Sequence, residues 1–321
     1  MVENYYFHYQ NLKLFKMKSK NALIIGANSQ DGKYLSNFLL KKNYKVFVIF
    51  NKNKKKINKK LVVSRINLNK KYDIKNFLNR FDSLEIYYFP SINIDSGQKE
   101  TKKVFIKNLD LNFLKLNNLL SSMAKLKNKK KFKLFYSCSS HIFKSSNLKI
   151  KQTEKSQIKV NSYYGFSKLC GLRLCEFYRD NFNLCVFVGI LYSHFSQYSK
   201  ISYVIPKIYD QLKKSKTIKV NNANSKIDFL HVNQVIKIIH KITQLNKPNT
   251  FIISSGRLEK INKIFNSLTI LMKKKNAKLI SVLKNEDTRG LSGNIDKLKK
   301  FIKINDEDLS LNKNLKDFIY G

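Results

Sequence analysis

The chain has 321 residues, 43% of them hydrophobic, enough for one large domain or a domain with a smaller lobe, which excludes a disordered chain. No stretch approaches the ~20 apolar residues of a membrane-spanning helix, and the longest apolar runs, such as LCVFVGILY, have the length of buried strands. The formal net charge of +42 points to nucleic acid, but its lysines accompany abundant Asn and Ile, as A/T-rich codons would give. Arginine, the usual base and phosphate reader, occurs only at Arg65, Arg80, Arg173, Arg179, Arg257 and Arg289, so nucleic acid is not the expected partner.

Residues 1–19 lack the apolar core and small-residue cleavage site of a signal peptide and read as a disordered leader, with Met17 an alternative start. NALIIG (21–26), a polar turn and the periodic KYLSNFLLKK then predict strand, tight turn and helix. KVFVIF (45–50), LVVSRINL and LEIYYF (84–89) are further strands, with YDIKNFLNRF a helix between the last two. The runs NKNKKKINKK (51–60) and LKNKKKFK (126–133) are solvated loops. Residues 104–126 form one long periodic helix, KFKLFYSCSS returns to strand, a helix carries Tyr164 and Lys168, and LCVFVGIL (184–191) is another buried strand. This alternation predicts an α/β, doubly wound parallel-sheet Rossmann fold over residues 20–190. Residues 191–321 read as a small C-terminal α/β substrate lobe, partly interleaved with that domain. Its elements are short strands near TIKV, DFLHV and TFIISSG, helices through VIKIIHKIT and KINKIFNSLTILMKK, and a final polar segment.

The turn GANSQDG sits where a dinucleotide fingerprint requires it, between the first strand and the first helix. Gly26 suits the tight turn, Gly32 the close packing of helix on strand, and Asn28, Ser29, Gln30 and Asp31 surround the helix N-terminus that would face a pyrophosphate. Ser29 replaces the usual middle glycine. Asn51 and Lys52, at the end of the second strand, stand where an NAD enzyme places an acid for the ribose 2′-OH; the lysines there suit a 2′-phosphate, making NADP the expected cofactor and NAD the alternative.

Tyr164 and Lys168 are one helical turn apart, and Ser139 is supplied by an earlier strand. A tyrosine of ordinary pKa about 10 is a poor base at neutral pH, so a neighbouring ammonium would be needed to favour its phenolate. By itself the pair carries little in a chain so rich in Tyr and Lys. Cys138, Cys170, Cys175 and Cys185 form no Cys-x-x-Cys pair and have no histidine at zinc-ligand spacing, which predicts no metal site and a reduced, cytoplasmic protein.

With the glycine turn, long central helix and Ser/Tyr/Lys set in this order, the chain resembles the extended short-chain dehydrogenase/reductase family, and within it the GDP-mannose 4,6-dehydratases, over roughly residues 20 to 320. Gln30-Asp31-Gly32 is similar to the opening of those enzymes. GILYSHFS (189–196) resembles their GILFNHES, SYVIPKI (202–208) their TFVTRKI, and NNANSKIDFLHV (221–232) their GNMDSLRDWGHA. The resemblance implies that Ser139, Tyr164 and Lys168 act on a hydroxyl of a nucleotide-linked sugar beside the nicotinamide. It also implies a homo-oligomer, dimer or tetramer, with the helices at 104–126 and 161–181 as interface elements.

The departures lie in the substrate pocket. His141 stands where those dehydratases place the glutamate that removes the C5 proton; histidine, of pKa near 6.5, can serve as a base. Ile227 replaces an arginine that clamps the diphosphate, which leaves Lys226 as a point charge. Ser193 and Phe195 replace an asparagine and a glutamate, and PSIN (90–93) replaces a small-residue stretch beside the nicotinamide. Lys207 and Arg289 complete the expected substrate contacts. His194 and His231 are expected to be structural hydrogen-bonders, and His240 to have no notable partner. The leading expectation is a nucleotide-sugar 4,6-dehydratase; a C4 epimerase or reductase needs only Ser/Tyr/Lys, and a catalytically silent basic binding protein is the reading from another class.

Overall fold

The computed structural model describes residues 20–50, 58–92, 100–147, 149–283 and 289–321. The apolar runs form the strands of one parallel sheet: β1 (Asn21–Ile25), β2 (Lys45–Ile49), β3 (Val62–Val63), β4 (Leu84–Tyr88), β5 (Phe132–Ser139), β6 (Cys185–Leu191) and β7 (Thr250–Ile253). Their spatial order, β7-β6-β5-β4-β1-β2-β3, reverses direction between β1 and β4. That switch point opens a crevice at the carboxyl edge of the sheet, where ligands bind in doubly wound folds. Helices cover both faces, so β4, β5 and β6 are buried almost throughout and carry no polar alternation. The third predicted strand shrinks to Val62–Val63, both exposed, because β3 is the sheet's edge and has a partner on one side alone.

The helices are α1 (Gln30–Lys41), α2 (Lys71–Leu78), α3 (Lys102–Leu109), α4 (Leu116–Ala124), α5 (Tyr163–Phe182), α6 (Val204–Lys214), α7 (Val232–Thr243), α8 (Ile261–Leu271), α9 (Asp296–Phe301) and α10 (Leu311–Tyr320). The expected single helix at 104–126 is instead α3 and α4 joined by a π-helical turn, Asp110–Lys115. Such turns are frequent at functional sites. Here it buries Asn112, whose carboxamide accepts from the Tyr136 hydroxyl at 3.1 Å and donates to Ser167 Oγ at 3.3 Å.

Two apolar clusters result. The larger surrounds the seven-stranded sheet and takes in α7, β7 and Leu298 from the C-terminal part of the chain. The smaller gathers Phe195, Ile208, Val220, Ile264, Leu268 and Phe318. Beside it the strand Thr217–Asn222 pairs in parallel with Lys278–Leu283. Among the described residues the tail expected to be merely polar thus supplies two strands, Lys278–Leu283 and Arg289–Gly290, and the helices α9 and α10. Its last helix carries an apolar period, Leu311, Leu315, Phe318 and Ile319, that the sequence reading passed over, and Leu315 and Phe318 of α10 are buried against α6 and α8 residues.

Candidate active site

The dinucleotide turn follows β1 directly. Gly26 has φ +86°, a left-handed conformation that suits glycine, and a Cβ there would stand 3.1 Å from Pro90 N. Pro90 therefore shapes the loop after β4 by packing on the turn. A Cβ at Gly32 would fall 2.5 Å from the Gly26 carbonyl oxygen, so α1 can approach β1 only with glycine here. Ser29, at the position of the expected middle glycine, is the helix N-cap: its hydroxyl accepts from Gly32 N at 3.0 Å with extended backbone at φ −65°. Helix geometry leaves the N–H groups of Gln30 and Asp31 without intrahelical acceptors. Asn28 is exposed at the turn.

The side chains of Gln30 and Asp31 are directed elsewhere. Gln30 Oε1 accepts from Ser196 Oγ and Ser199 Oγ, both at 2.6 Å, and Asp31 Oδ1 lies 2.8 Å from His194 Nε2. Burial pushes the Asp31 carboxyl up, but the charge and hydrogen bond of His194 outweigh it and the net shift is downward. Burial pulls His194 down, yet the Asp31 carboxylate carries it up to about 9, so the two form an ion pair at neutral pH. These contacts tie the first turn of α1 to the segment after β6. His194 and His231 are hydrogen-bonded as expected, His231 Nδ1 accepting from Asn233 N. His240, contrary to expectation, has a partner in the Tyr44 hydroxyl at 3.3 Å.

Ser139, Tyr164 and Lys168 converge at the carboxyl end of β5. Ser139 is the buried last residue of that strand, and its hydroxyl accepts from His141 N at 3.3 Å. α5 presents Tyr164 and Lys168 from one face; Gly171 lets it press on Tyr136, since a Cβ there would overlap the phenol oxygen at 2.1 Å. Lys168 is almost completely buried, donates to the Ser137 carbonyl at 2.8 Å, and has Nζ 5.3 Å from the Tyr136 ring centre and 5.9 Å from that of Tyr164. Burial lowers the ammonium to about 8, against the opposing pull of Cys138 and Asp31. Burial raises Tyr164 to about 12, opposed by the hydroxyls of Ser139 and Ser91. The Lys168 ammonium is held by the Ser137 carbonyl, the serine hydroxyls are the main groups favouring the anion, and Tyr164 is a neutral phenol.

His141 follows in a short turn, its ring edge-on to Tyr164 with centres 5.7 Å apart. His141 is partly exposed, and desolvation by the surrounding protein lowers its pKa, with Glu100 opposing. A hydrophobic hollow of about 470 Å³ lies over the first turn of α5, lined by Glu100, Phe105, Val160, Ser162, Tyr163 and Phe166.

The expected substrate contacts come from separate elements. Leu191 pairs in register with Ser139, so Ser193 leaves β6 beside the carboxyl edge of the sheet; it is exposed, and its carbonyl accepts from Leu230 N at 3.1 Å. Lys207 is exposed on α6, and Lys226 is exposed opposite Lys260 in a short antiparallel ladder that also holds Ile227. The backbone of Arg289 pairs with Asn147, while its side chain, like Asn51 and Lys52, lies outside the described residues. Among the described residues no cluster of His, Cys, Asp or Glu could hold a metal ion, no helix is long and apolar enough to cross a membrane, and all four cysteines are free.

Three residues that sequence reasoning missed complete the site. Asn108 holds the loop after β4 by pairing both backbone groups of Ile92, at 2.8 and 2.9 Å. Asn112 braces Tyr136 and Ser167 from the π turn. Glu100 accepts from the backbone N–H groups of Tyr163 and Tyr164. Position on the 104–126 helix could have flagged the two asparagines as buried polar groups in an apolar stripe; nothing local marks Glu100.

Comparison with known proteins decides the family. The model of GDP-mannose 4,6 dehydratase matches residues 23–309. The chain belongs to the GDP-mannose 4,6-dehydratase family. The Dictyostelium discoideum GDP-mannose 4,6 dehydratase is 24% identical over 279 residues, 79% of this chain and 77% of that protein. Among solved structures, the UDP-N-acetylglucosamine 4-epimerase of Methanobrevibacter ruminantium M1 superposes with a TM-score of 0.76 at 18% identity, over 94% of this chain and 99% of that one. The dTDP-glucose 4,6-dehydratase of Bacillus anthracis, solved in complex with NAD, gives 0.74 at 15% identity over 94% and 96%. These structures share the Rossmann fold, and family membership makes the chain a nucleotide-sugar enzyme of the dehydratase and epimerase kind.

Proposed function

We propose that the protein converts GDP-mannose, or a closely similar nucleotide sugar, to its 4-keto-6-deoxy product. The convergence of Ser139, His141, Tyr164 and Lys168 at the sheet's carboxyl edge carries this reading, because it places a hydroxyl-directed acid/base beside a second, carbon-directed base. The left-handed Gly26 and the closed approach at Gly32 fit a dinucleotide against the first turn of α1. A nicotinamide dinucleotide held there by Gly26, Ser29, the backbone of Gln30 and Asp31, and Gly32 would supply the hydride acceptor and donor for C4 and C6. The lysines after β2 favour NADP over NAD.

Tyr164 exchanges the proton of the sugar 4-OH, and Ser139 holds that oxygen. The Lys168 ammonium stabilises negative charge on the tyrosine as the proton moves. With C4 a ketone, C5–H is acidic. His141, neutral because desolvation lowers its pKa, takes that proton; the electron pair forms the C5=C6 bond, and the C6 hydroxyl leaves with the proton as water. Return of the hydride to C6 and a proton from solvent to C5 would complete the 4-keto-6-deoxy product. Ser193, Lys207, Lys226 and Arg289 are assigned to the nucleotide sugar, Lys226 acting as a point charge where Ile227 offers none.

The test is mass spectrometry of products formed from GDP-mannose and NADP⁺. A mass loss of one water without net cofactor turnover supports the dehydratase. Stoichiometric consumption of NADPH supplied with a 4-keto nucleotide sugar in a parallel assay would support a reductase, and an isomeric product of unchanged mass from GDP-mannose a C4 epimerase. His141→Ala should abolish the dehydrated product while leaving C4 oxidation.

The same reading includes a homo-oligomer. Ile106, Phe113 and Leu114 on the α3–α4 stretch and Tyr163, Phe166 and Phe177 on α5 are large, apolar and exposed, as residues awaiting a second copy would be. Light scattering should show a dimer or larger for the wild type and a monomer for Leu114→Asp combined with Phe177→Asp.

A further inference from the structure

We propose that Glu100 is the counter-charge and positioning residue of His141, a carboxylate that fixes the first turn of α5, against which the imidazole also packs. The proposal rests on the reading of His141 as the carbon-directed base. Glu100 immediately precedes Thr101, the N-cap of α3, and its two oxygens accept from Tyr163 N and, at 2.9 Å, Tyr164 N. Ser162, the N-cap of α5, already accepts from Gly165 N at 3.0 Å. An ordinary helix start is served by such a cap; a carboxylate brought from another segment adds a full negative charge at the N-terminal dipole.

His141 meets the same turn from the other side. A Cβ at Gly165 would stand 2.5 Å from the His141 carbonyl oxygen, so the two backbones touch, and the imidazole is edge-on to Tyr164. Glu100 and His141 therefore both contact the turn that carries Tyr164. The Glu100 carboxylate favours the protonated imidazole against the desolvation that disfavours it. The other titratable groups on segments packed around His141 are the buried ammonium of Lys168 and the neutral Tyr164 on α5, and Lys144 and Lys159, exposed on either side of the Phe143–Ile158 bridge. In the elimination His141 is a cation only between taking the C5 proton and returning it to the departing hydroxyl, and the fixed carboxylate stabilises that interval.

The experiment titrates His141 by NMR in the full-length protein labelled at histidine, comparing wild type with Glu100→Gln, which can still accept one N–H. The expected result is a midpoint displaced to lower pH, about a tenfold change in the protonation equilibrium. The acid limb of kcat should move the same way, with a lower plateau and little change in KM. Glu100→Asp, which keeps the charge, should recover the wild-type midpoint in large part. An unchanged His141 midpoint in a folded Glu100→Gln protein, whatever its activity, reduces Glu100 to a helix cap and overturns the proposal. Absence of dehydrated product from a wild type whose midpoint still depends on Glu100 would overturn the dehydratase reading and leave the pairing intact.

Discussion

Gly32 shows how narrowly a single residue can decide this site. A methyl group there would meet the Gly26 carbonyl oxygen and Ala27 Cα at 2.5 and 2.7 Å, and both are backbone atoms that cannot rotate away. Gly32→Ala should therefore destabilise the fold by about 1–3 kcal/mol, the cost of overpacking, measurable by urea denaturation. It should also weaken dinucleotide binding, because α1 would have to retreat. Tyr164→Phe keeps the packing and removes the hydroxyl, so turnover should fall by roughly 10²–10⁴ with stability nearly unchanged; near-wild-type product formation would remove Tyr164 from the mechanism. These positions were legible in the sequence because their chemistry depends on short spacing: a glycine six after a glycine, a lysine four after a tyrosine. Glu100 was not legible, being separated from Tyr164 by 64 residues and joined to it only by folding.

At the scale of elements, the first turn of α1 is bound to the segment after β6 by the Gln30 contacts to Ser196 and Ser199 and by the Asp31–His194 ion pair. The pH dependence follows from the two shifts. His194 is raised to about 9 when folded, so its contribution is complete below its ordinary value near 6.5 and is lost as pH rises to about 9. Asp31 is lowered, so its contribution is present above its ordinary value of 3.8 and lost as pH falls through the folded value. Unfolding free energy of the wild type should therefore decline between pH 6.5 and 9, and Asp31→Asn should remove most of that slope. The variant should also be less stable near neutrality by on the order of 3 kcal/mol, since a mostly buried imidazole loses its partner. Elements were read correctly where apolar residues recur over several turns or fill a buried strand. The π turn at Asp110–Lys115 escaped because it preserves a helical apolar pattern while inserting a wider turn, and β3 escaped shortening because an edge strand keeps its β-branched residues after losing its second neighbour.

For the whole molecule, the charge of +42 matters through self-repulsion rather than through any one site. Between 0.01 and 0.15 M salt the screening length falls from about 30 to about 8 Å, so the melting temperature should rise by several degrees over that range in a scanning-fluorimetry series. A flat response would mean that the lysines are already locally compensated. The order of buried strands and periodic helices, the Gly26–Gly32 turn and the Ser139, Tyr164, Lys168 set were determined by the sequence itself, because backbone period, turn geometry and side-chain chemistry are local properties. The tertiary structure alone decided that Ser29 caps α1, that Gln30 and Asp31 reach the segment after β6, that Lys168 is held by Ser137, and that Glu100 binds the first turn of α5. Each of those depends on which distant segment the sheet order brings alongside, and on burial strong enough to move a pKa, neither of which spacing along the chain encodes.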